Sequence, residues 1–180
     1  KYLNEMLMLK KNDFVIPSNL LPYFRSNHAG ETGAVFIYKG IMAVSNDPKI
    51  LKFSQKHLIT ETNHLNIIEQ VLDKQHISKL IFFWKLAGFF TGFIPALLGK
   101  NFVYATIFYV ESFVEKHYQE QLFLLSKDRK QNKIRSMISE LMEDEISHKK
   151  ESLSSVTNLN TIHRIWLSLI HISEPTRRYK

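Results

Sequence analysis

Four helical segments of this chain each carry a glutamate in the row of residues that should face the core. Apolar residues recur every three or four positions almost throughout, a spacing that predicts α-helices. In four of these apolar rows a carboxylate occupies one position, and the four are Glu31, Glu61, Glu111 and Glu145. An ion buried in a core costs several kcal/mol unless its charge is balanced. The chain can therefore fold as a helical bundle only if these carboxylates are compensated.

Two of the glutamates are followed by a histidine one turn later on the same helical face, in Glu61-x-x-His64 and Glu145-x-x-His148. Each of the other two precedes one such pair, so the chain contains a pseudo-repeat of two helix pairs. No lysine or arginine occupies these rows. Two divalent metal ions would balance the four carboxylates, with the imidazoles as neutral ligands. The pattern predicts a dinuclear site like that of ferritin-like bundles, with these ligands: Glu31, Glu61, His64, Glu111, Glu145 and His148.

The chemistry of the ligands favours iron or manganese at this site. Carboxylate oxygens with a little imidazole suit these metals better than zinc, and the chain has no cysteine to supply a thiolate. Taken singly, the pair Glu61 and His64 is also typical of a solvated surface, and Glu145 lies in an acidic run. The four rows together favour the metal site. The remaining histidines of this region are interpreted as structural or exposed: His28, His57 and His76.

The sequence predicts an all-α fold, a ferritin-like four-helix bundle with additional membrane-facing helices. We expect helices at residues 25–45, 48–74, 78–97, 101–127 and 131–156, with a remnant at 160–166. The stretch "SNDP" (45–48) should end the first helix and cap the second. The predicted division is an N-terminal extension at 1–24, a ferritin-like di-iron domain at 25–156 and a truncated last helix at 157–166.

The last residues of the chain, 167–180, are interpreted separately. The stretch "LSLIHISEPTR" (Leu167–Arg177) resembles the translated read-through of a sequencing adapter. We therefore interpret 167–180 as an artefact and leave these residues out of the functional reasoning. A natural polar tail is the alternative.

One segment, residues 80–99, is far more apolar than the rest and carries a single charge, Lys85. Its length would allow it to span a bilayer, but its glycines, its proline and the lysine weaken that interpretation. Five phenylalanines and a tryptophan favour a helix lying at a membrane interface, and an ordinary buried helix is a third alternative. The net charge of +7 and the basic flanks favour an anionic lipid surface: Lys74, Lys79 and Lys100. No nucleic-acid-binding signature is found, so nucleic acid is not an expected partner.

Five stretches of the sequence together resemble the demethoxyubiquinone hydroxylase family of ubiquinone biosynthesis. The resemblance covers about residues 25–156, and its motifs are "HAGETGAVFIYKG" (28–40), "ETNHL" (61–65), "LAGFFTGFIPALLGK" (86–100), "VESFVEKHYQEQL" (110–122) and "DEISHKK" (144–150). The resemblance implies a di-iron centre held by the six residues named above. It implies that Glu61 and Glu145 bridge two iron ions and that Glu31 and Glu111 are terminal ligands.

The same resemblance implies an activity, its partners and its location. The expected reaction is hydroxylation of a polyprenyl demethoxy-benzoquinol with O2 and two electrons. His117 and Tyr118 match a motif near the site and are expected to position the quinone or to relay electrons and protons; alternatively, Tyr118 simply packs beside Glu111. The implied partners are a membrane-embedded quinol, O2, an anionic membrane surface, an electron donor and other ubiquinone-biosynthesis proteins. We expect a peripheral protein on the cytoplasmic face of a bacterial inner membrane, or on the matrix face of a mitochondrial one.

Two other classes of protein share parts of this pattern. One is a ferritin-like di-iron or di-manganese protein that oxidises and stores iron or dismutates peroxide. The other is a helical membrane adaptor without enzymatic activity. The apolar segment at 80–99 argues against the first class, and the complete set of six ligands argues against the second.

Overall fold

The computed structural model describes residues 16–126 and 131–156 together with Trp166 and Ser168. In these residues the chain forms five α-helices, a short 3-10 helix at Lys74–His76 and no strand. The α-helices are α1 (Leu21–Val44), α2 (Pro48–Val71), α3 (Ile81–Leu98), α4 (Lys100–Leu125) and α5 (Asn132–Ser155). The all-α prediction is confirmed.

The predicted boundaries differ most at the start of α1, by four residues, and at the end of α2 and the start of α3, by three residues each. The first helix begins at Leu21, four residues before the predicted start, because Pro22 fits the first turn of a helix. The second helix ends at Val71, three residues before residue 74. At the start of α2, the side chain of Asp47 accepts a hydrogen bond from the backbone N–H of Lys49 at 2.8 Å, which is the predicted cap.

Several predictions fall outside the described residues. The N-terminal extension lies there up to residue 15, as does the remnant helix at 160–166 apart from Trp166. The segment 167–180 lies there apart from Ser168. The indole N–H of Trp166 donates a hydrogen bond to the hydroxyl oxygen of Thr106 at 2.8 Å. The proposed division into domains stays a prediction.

Helices α1, α2, α4 and α5 form the four-helix bundle, in which α1 packs on α2 and α4 packs on α5. Two apolar clusters fill its interior. The Phe24 cluster contains Leu20, Phe24, Ile67, Ile68, Val71, Leu72, Tyr118, Leu125, Ile134, Met137, Ile138 and Leu141. The Phe53 cluster contains Ile37, Tyr38, Ile41, Ile50, Phe53, Val103, Tyr104 and Ile107. Along α1, α2 and α4 a polar layer lies between the two clusters, and it contains the glutamates that the sequence places in apolar rows.

Helix α3 lies outside this bundle against α1, and glycines bring the two backbones into contact. A side chain at Gly92 would overlap the carbonyl oxygen of Ile37, and one at Gly88 would overlap that of Gly33. Gly99, with φ at +115°, ends α3 in a backbone conformation that favours glycine, and α4 begins at the next residue.

This close packing gives a test of the helix pair. The Gly92→Ala substitution should lower the free energy of unfolding by about 1–3 kcal/mol or more, because its methyl group has no space beside Ile37. Gly30→Ala is the matched control. That glycine lies in α1 with no atom near the added methyl group, so the substitution should stabilise the protein by about 0.5–1 kcal/mol through helix propensity. Chemical denaturation measures both; equal stabilities would contradict this packing.

The outer face of α3 is exposed and apolar. The helix is long and apolar enough to cross a membrane, and only 17% of its residues are buried against the rest of the protein. Its buried residues are Gly88, Gly92 and Pro95. The alternative of an ordinary buried helix is therefore wrong. The exposed large side chains are Phe82, Phe83, Trp84, Leu86, Phe90, Ile94, Leu97 and Leu98, and together they form what we term the α3 apolar face.

Candidate metal centre

The six residues predicted as metal ligands come together in the polar layer of the bundle. They form two overlapping groups, in each of which one potential ligand atom per residue lies within 4.8 Å of the others. The Glu31 group contains Glu31, Glu61, His64 and Glu145. The Glu111 group contains Glu61, Glu111, Glu145 and His148. All six side chains are buried, so each group could hold one metal ion, and two glutamates belong to both groups.

Helix geometry explains why each Glu-x-x-His pair points into this layer. Residues three apart lie on one face of a helix, and in α2 and α5 this face points toward the opposite helix pair. The histidine of each Glu-x-x-His motif therefore lies next to the glutamate of the other motif. Nδ1 of His64 lies 2.9 Å from a carboxylate oxygen of Glu145, and Nδ1 of His148 lies 3.0 Å from one of Glu61.

Two tyrosines form corresponding hydrogen bonds in the two halves of the site. The hydroxyl of Tyr118 on α4 donates a hydrogen bond to Glu31 on α1, and the hydroxyl of Tyr38 on α1 donates one to Glu111 on α4 at 3.3 Å. Each tyrosine lies seven residues after the glutamate of its own helix. Tyr118 was predicted near the site, whereas Tyr38 was not identified from the sequence. The shared spacing of seven is the signal that could have identified Tyr38.

His117 belongs to neither group. Its ring stacks on that of Tyr23 with centroids 5.6 Å apart and on that of Phe113 at 6.3 Å. Phe113 is exposed, so this stack lies toward the surface of the bundle. A role of His117 in positioning the quinone or in relaying electrons and protons stays a prediction.

Two further residues contact the candidate ligands and were not predicted. Oδ2 of Asp144 lies 3.1 Å from Nε2 of His64. His57, interpreted from the sequence as a structural or exposed histidine, is fully buried, and its ring lies edge-on to that of His148 with centroids 4.1 Å apart. His57 precedes Glu61 by four residues and therefore shares its helical face, which is a signal the sequence contained.

Without metal, the site contains acidic groups that cannot all be ionised. Burial and the neighbouring Glu145 raise the pKa of Glu61 to about 8, and burial also raises the pKa of Glu111. Burial opposes ionisation of Glu145 too, but the nearby imidazoles of His148 and His64 outweigh it and hold the pKa of Glu145 below its usual range. Burial disfavours the charged form of His148, yet the nearby carboxylates of Glu145 and Glu61 raise its pKa to about 9.

The residues present fit a divalent metal better than they fit any partner in the protein. Within the described residues, no lysine or arginine forms an ion pair with the four glutamates. One carboxylate oxygen each of Glu61 and Glu145, and Nδ1 of His148, are buried without an acceptable hydrogen bond in that part of the chain. Buried polar atoms are normally bonded, so these atoms could be satisfied by a bound metal ion. The donor set of carboxylate and imidazole suits iron or manganese.

These pKa shifts predict how metal binding depends on pH. At pH below about 8, Glu61 and His148 carry protons that a metal ion must displace. The affinity should therefore fall as pH is lowered, by roughly tenfold per pH unit for each displaced proton. Mn(II) titrations at about pH 6 and about pH 8, with proton release followed by calorimetry, measure this dependence. An affinity that does not change over this range would contradict the assignment.

Comparison with known proteins gives consistent matches. The sequence matches the ubiquinone biosynthesis protein COQ7 family over residues 19–174. It is 27% identical over 155 residues to the mitochondrial NADPH-dependent 3-demethoxyubiquinone 3-hydroxylase of Dictyostelium discoideum, covering 84% of this chain and 71% of that protein. The enzyme of the same name from Caenorhabditis elegans is 31% identical over 128 residues, covering 69% and 68%. The 3-demethoxyubiquinol 3-hydroxylase of Coxiella burnetii (strain Dugway 5J108-111) is 30% identical over 136 residues, covering 74% and 62%.

Proposed function

Because this chain belongs to the ubiquinone biosynthesis protein COQ7 family, we propose that it is a di-iron monooxygenase that hydroxylates a polyprenyl demethoxy-benzoquinol with O2. One observation supports the metal-dependent chemistry above all others. Four glutamates and two histidines are buried in two overlapping groups, each with the dimensions of a metal site. Ring hydroxylation requires activation of O2, which side chains alone do not perform.

The grouping suggests a role for each ligand. Glu61 and Glu145 belong to both groups and would bridge two iron ions. Glu31 and His64 would complete the ligand shell of one ion, and Glu111 and His148 would complete that of the other. When bound, the iron pair supplies the redox chemistry that activates O2. Iron is preferred over manganese because the related enzymes are named as hydroxylases of demethoxyubiquinone or demethoxyubiquinol.

The protein's own groups keep the site organised and dry. The Phe24 cluster and the Phe53 cluster pack beside the ligand layer and exclude water from it. Burial raises the pKa of Tyr38 and of Tyr118, so both hydroxyls stay protonated and can donate to the terminal glutamates. These bonds hold Glu111 and Glu31 in one orientation, as outer partners of metal ligands do.

The α3 apolar face suggests how such an enzyme would meet its substrate. A polyprenyl quinol resides in a bilayer, and a helix inserted into the interface could receive it without moving the tail through water. Exposed lysines at both ends of α3 would attract anionic lipid headgroups: Lys74, Lys79 and Lys100. We propose a peripheral location at an inner membrane, on the cytoplasmic face in a bacterium or the matrix face in a mitochondrion.

The two electrons for the reaction come from a donor outside the chain. Several related enzymes are named as NADPH-dependent, which makes NADPH the first donor to test.

The alternative functions each leave a structural feature of the protein unexplained. An iron store or a peroxide dismutase would not need the α3 apolar face, and a membrane adaptor would not need six buried ligands.

A turnover assay tests the proposed function. The protein is loaded with Fe(II) without oxygen, placed on liposomes, and supplied with a short-tail demethoxyquinol, NADPH and air. The expected result is multiple turnovers to the hydroxylated quinol, detected by mass spectrometry. If NADPH does not serve, a chemical reductant supplies the electrons instead. Rapid oxidation of iron with unchanged quinol in both cases would favour an iron-oxidising protein and contradict the proposal.

A further inference from the structure

The proposed ligands are repeated so regularly that a difference between the two metal positions must come from their neighbours. Each position has one terminal glutamate, one histidine and the two shared glutamates. Each terminal glutamate also accepts a hydrogen bond from a tyrosine of the opposite half, Tyr118 in one case and Tyr38 in the other. At the level of the donor atoms and these tyrosines, the two positions are matched.

The two histidines differ in the groups that lie on the side of the ring facing away from the glutamates. Nδ1 of His64 faces the glutamates, and its outward Nε2 lies 3.1 Å from the carboxylate of Asp144. Behind His148 lies the ring of His57 instead. The ion-pair contacts of His148 are made by its Nδ1 alone. No carboxylate in residues 16–126 and 131–156 lies within 4 Å of its Nε2.

The charge around the two imidazoles differs accordingly. Within 4 Å, the ring nitrogens of His64 meet four carboxylates, and those of His148 meet two. The partners of His64 are Glu31, Glu61, Asp144 and Glu145, and those of His148 are Glu61 and Glu145. Glu151 lies beyond His57, 3.3 Å from its Nε2, but its negative charge is balanced by Lys56, whose Nζ is 2.5 Å away. His57 and Glu151 therefore do not replace the carboxylate that His64 has.

We propose that the two metal positions are inequivalent, and that the Glu31 group binds its ion first and more tightly because Asp144 supports His64. This inference rests on the proposed di-metal site. A carboxylate that accepts the outward N–H of a ligating imidazole fixes the tautomer and strengthens the metal bond; losing such a partner typically costs about 10- to 100-fold in affinity. The side chain of Asp144 is 40% exposed, so water screens it and the lower end of that range, about tenfold, is expected.

Stepwise titration with Co(II), followed by absorption spectroscopy and calorimetry, tests this inference. The wild-type protein should bind two ions in two steps whose affinities differ by about tenfold or more. Asp144→Asn should weaken the tighter step by about tenfold, and Asp144→Glu should recover part of the loss. Glu143→Gln removes the same charge from the exposed preceding residue of α5 and should leave both steps unchanged.

Two further variants identify the positions. Glu111→Ala should retain the tighter step, and Glu31→Ala should retain only the weaker one. Retention of the tighter step by Glu31→Ala, or two equal steps in a wild-type protein that Asp144→Asn does not alter, would overturn the inference but leave the di-metal site intact. Failure of the folded wild-type protein to bind any ion would overturn the proposed function as well. Circular dichroism confirms that each variant is folded.

Discussion

Replacing either shared glutamate, by Glu61→Ala or Glu145→Ala, is expected to abolish stoichiometric iron binding and ring hydroxylation. Each of these side chains belongs to both four-residue groups, so its loss removes a ligand from both metal positions at once. Loss of an outer-shell partner alone costs about 10- to 100-fold, and loss of a bridging ligand should exceed the upper value. Iron content per chain and initial rates of hydroxylation measure the two effects.

The stability of the metal-free protein should change in the opposite direction. In the part of the chain that the structure describes, the four buried carboxylates have no cationic partner other than histidine, and their crowding destabilises the bundle. Apolar replacement of buried ionisable groups is often stabilising by about 1–4 kcal/mol. Glu61→Leu should therefore raise the melting temperature of the metal-free protein while losing the further rise that metal gives the wild type. A merely structural glutamate would show the reverse.

Glu143→Ala provides the control for Glu145→Ala. It removes the same kind of side chain from the same helix two residues earlier, at an exposed position. Its iron content, activity and melting temperature should match those of the wild type. Wild-type hydroxylation by Glu61→Ala or by Glu145→Ala would exclude the bridging role.

The second large effect is expected at the α3 apolar face. The triple substitution Phe82→Ser, Phe83→Ser and Phe90→Ser should transfer the protein from the lipid fraction to the soluble fraction in a liposome flotation experiment. Each phenylalanine is at least half exposed, so the change should leave the bundle folded. Full burial of a phenylalanine contributes about 1.5–3 kcal/mol, and half or more of each of these three is exposed, so removing them should lower the partition into lipid by roughly 100-fold or more.

Exposed apolar residues outside α3 provide a matched comparison. Ile59 on α2 and Leu153 on α5 are also exposed, and Ile59→Ser with Leu153→Ser should leave flotation unchanged. The triple variant should still bind iron, because α3 contributes no ligand to either group. Flotation of the triple variant at the wild-type level, or a wild-type protein that never floats, would show that this face does not bind lipid.

The layer of candidate ligands could be predicted from the sequence because the periodicity of apolar residues shows which residues share a helical face. The rows through Glu61 and His64, and through Glu145 and His148, could be followed without any tertiary information, and the structure brings these side chains together. What lies behind a ligand could not be predicted in this way. Asp144 meets His64 across 80 positions of the chain, through packing of α2 against α5 that no local pattern specifies.

The orientation of α3 shows a second limit. Its composition was compatible with interfacial, buried and spanning helices, because length and hydropathy do not state which face meets protein. In the structure, glycines determine which face of α3 meets protein: Gly88 and Gly92 approach the backbone of α1, and Phe82, Phe83 and Phe90 lie on the exposed side. The start of α1 differs from the prediction because the helix begins with the turn that contains Pro22, a residue that fits the first turn but is otherwise typical of a break.

A single-turnover experiment with isotopically labelled O2 tests the proposed hydroxylation most directly. Protein loaded with two Fe(II) per chain and bound to liposomes is mixed, without a further reductant, with a short-tail demethoxyquinol and labelled O2. The proposed reaction should give one hydroxylated quinol per di-iron site, carrying one oxygen atom from O2, and none from the Glu61→Ala protein. A product that takes its oxygen from water, or equal yields from the two proteins, would contradict it.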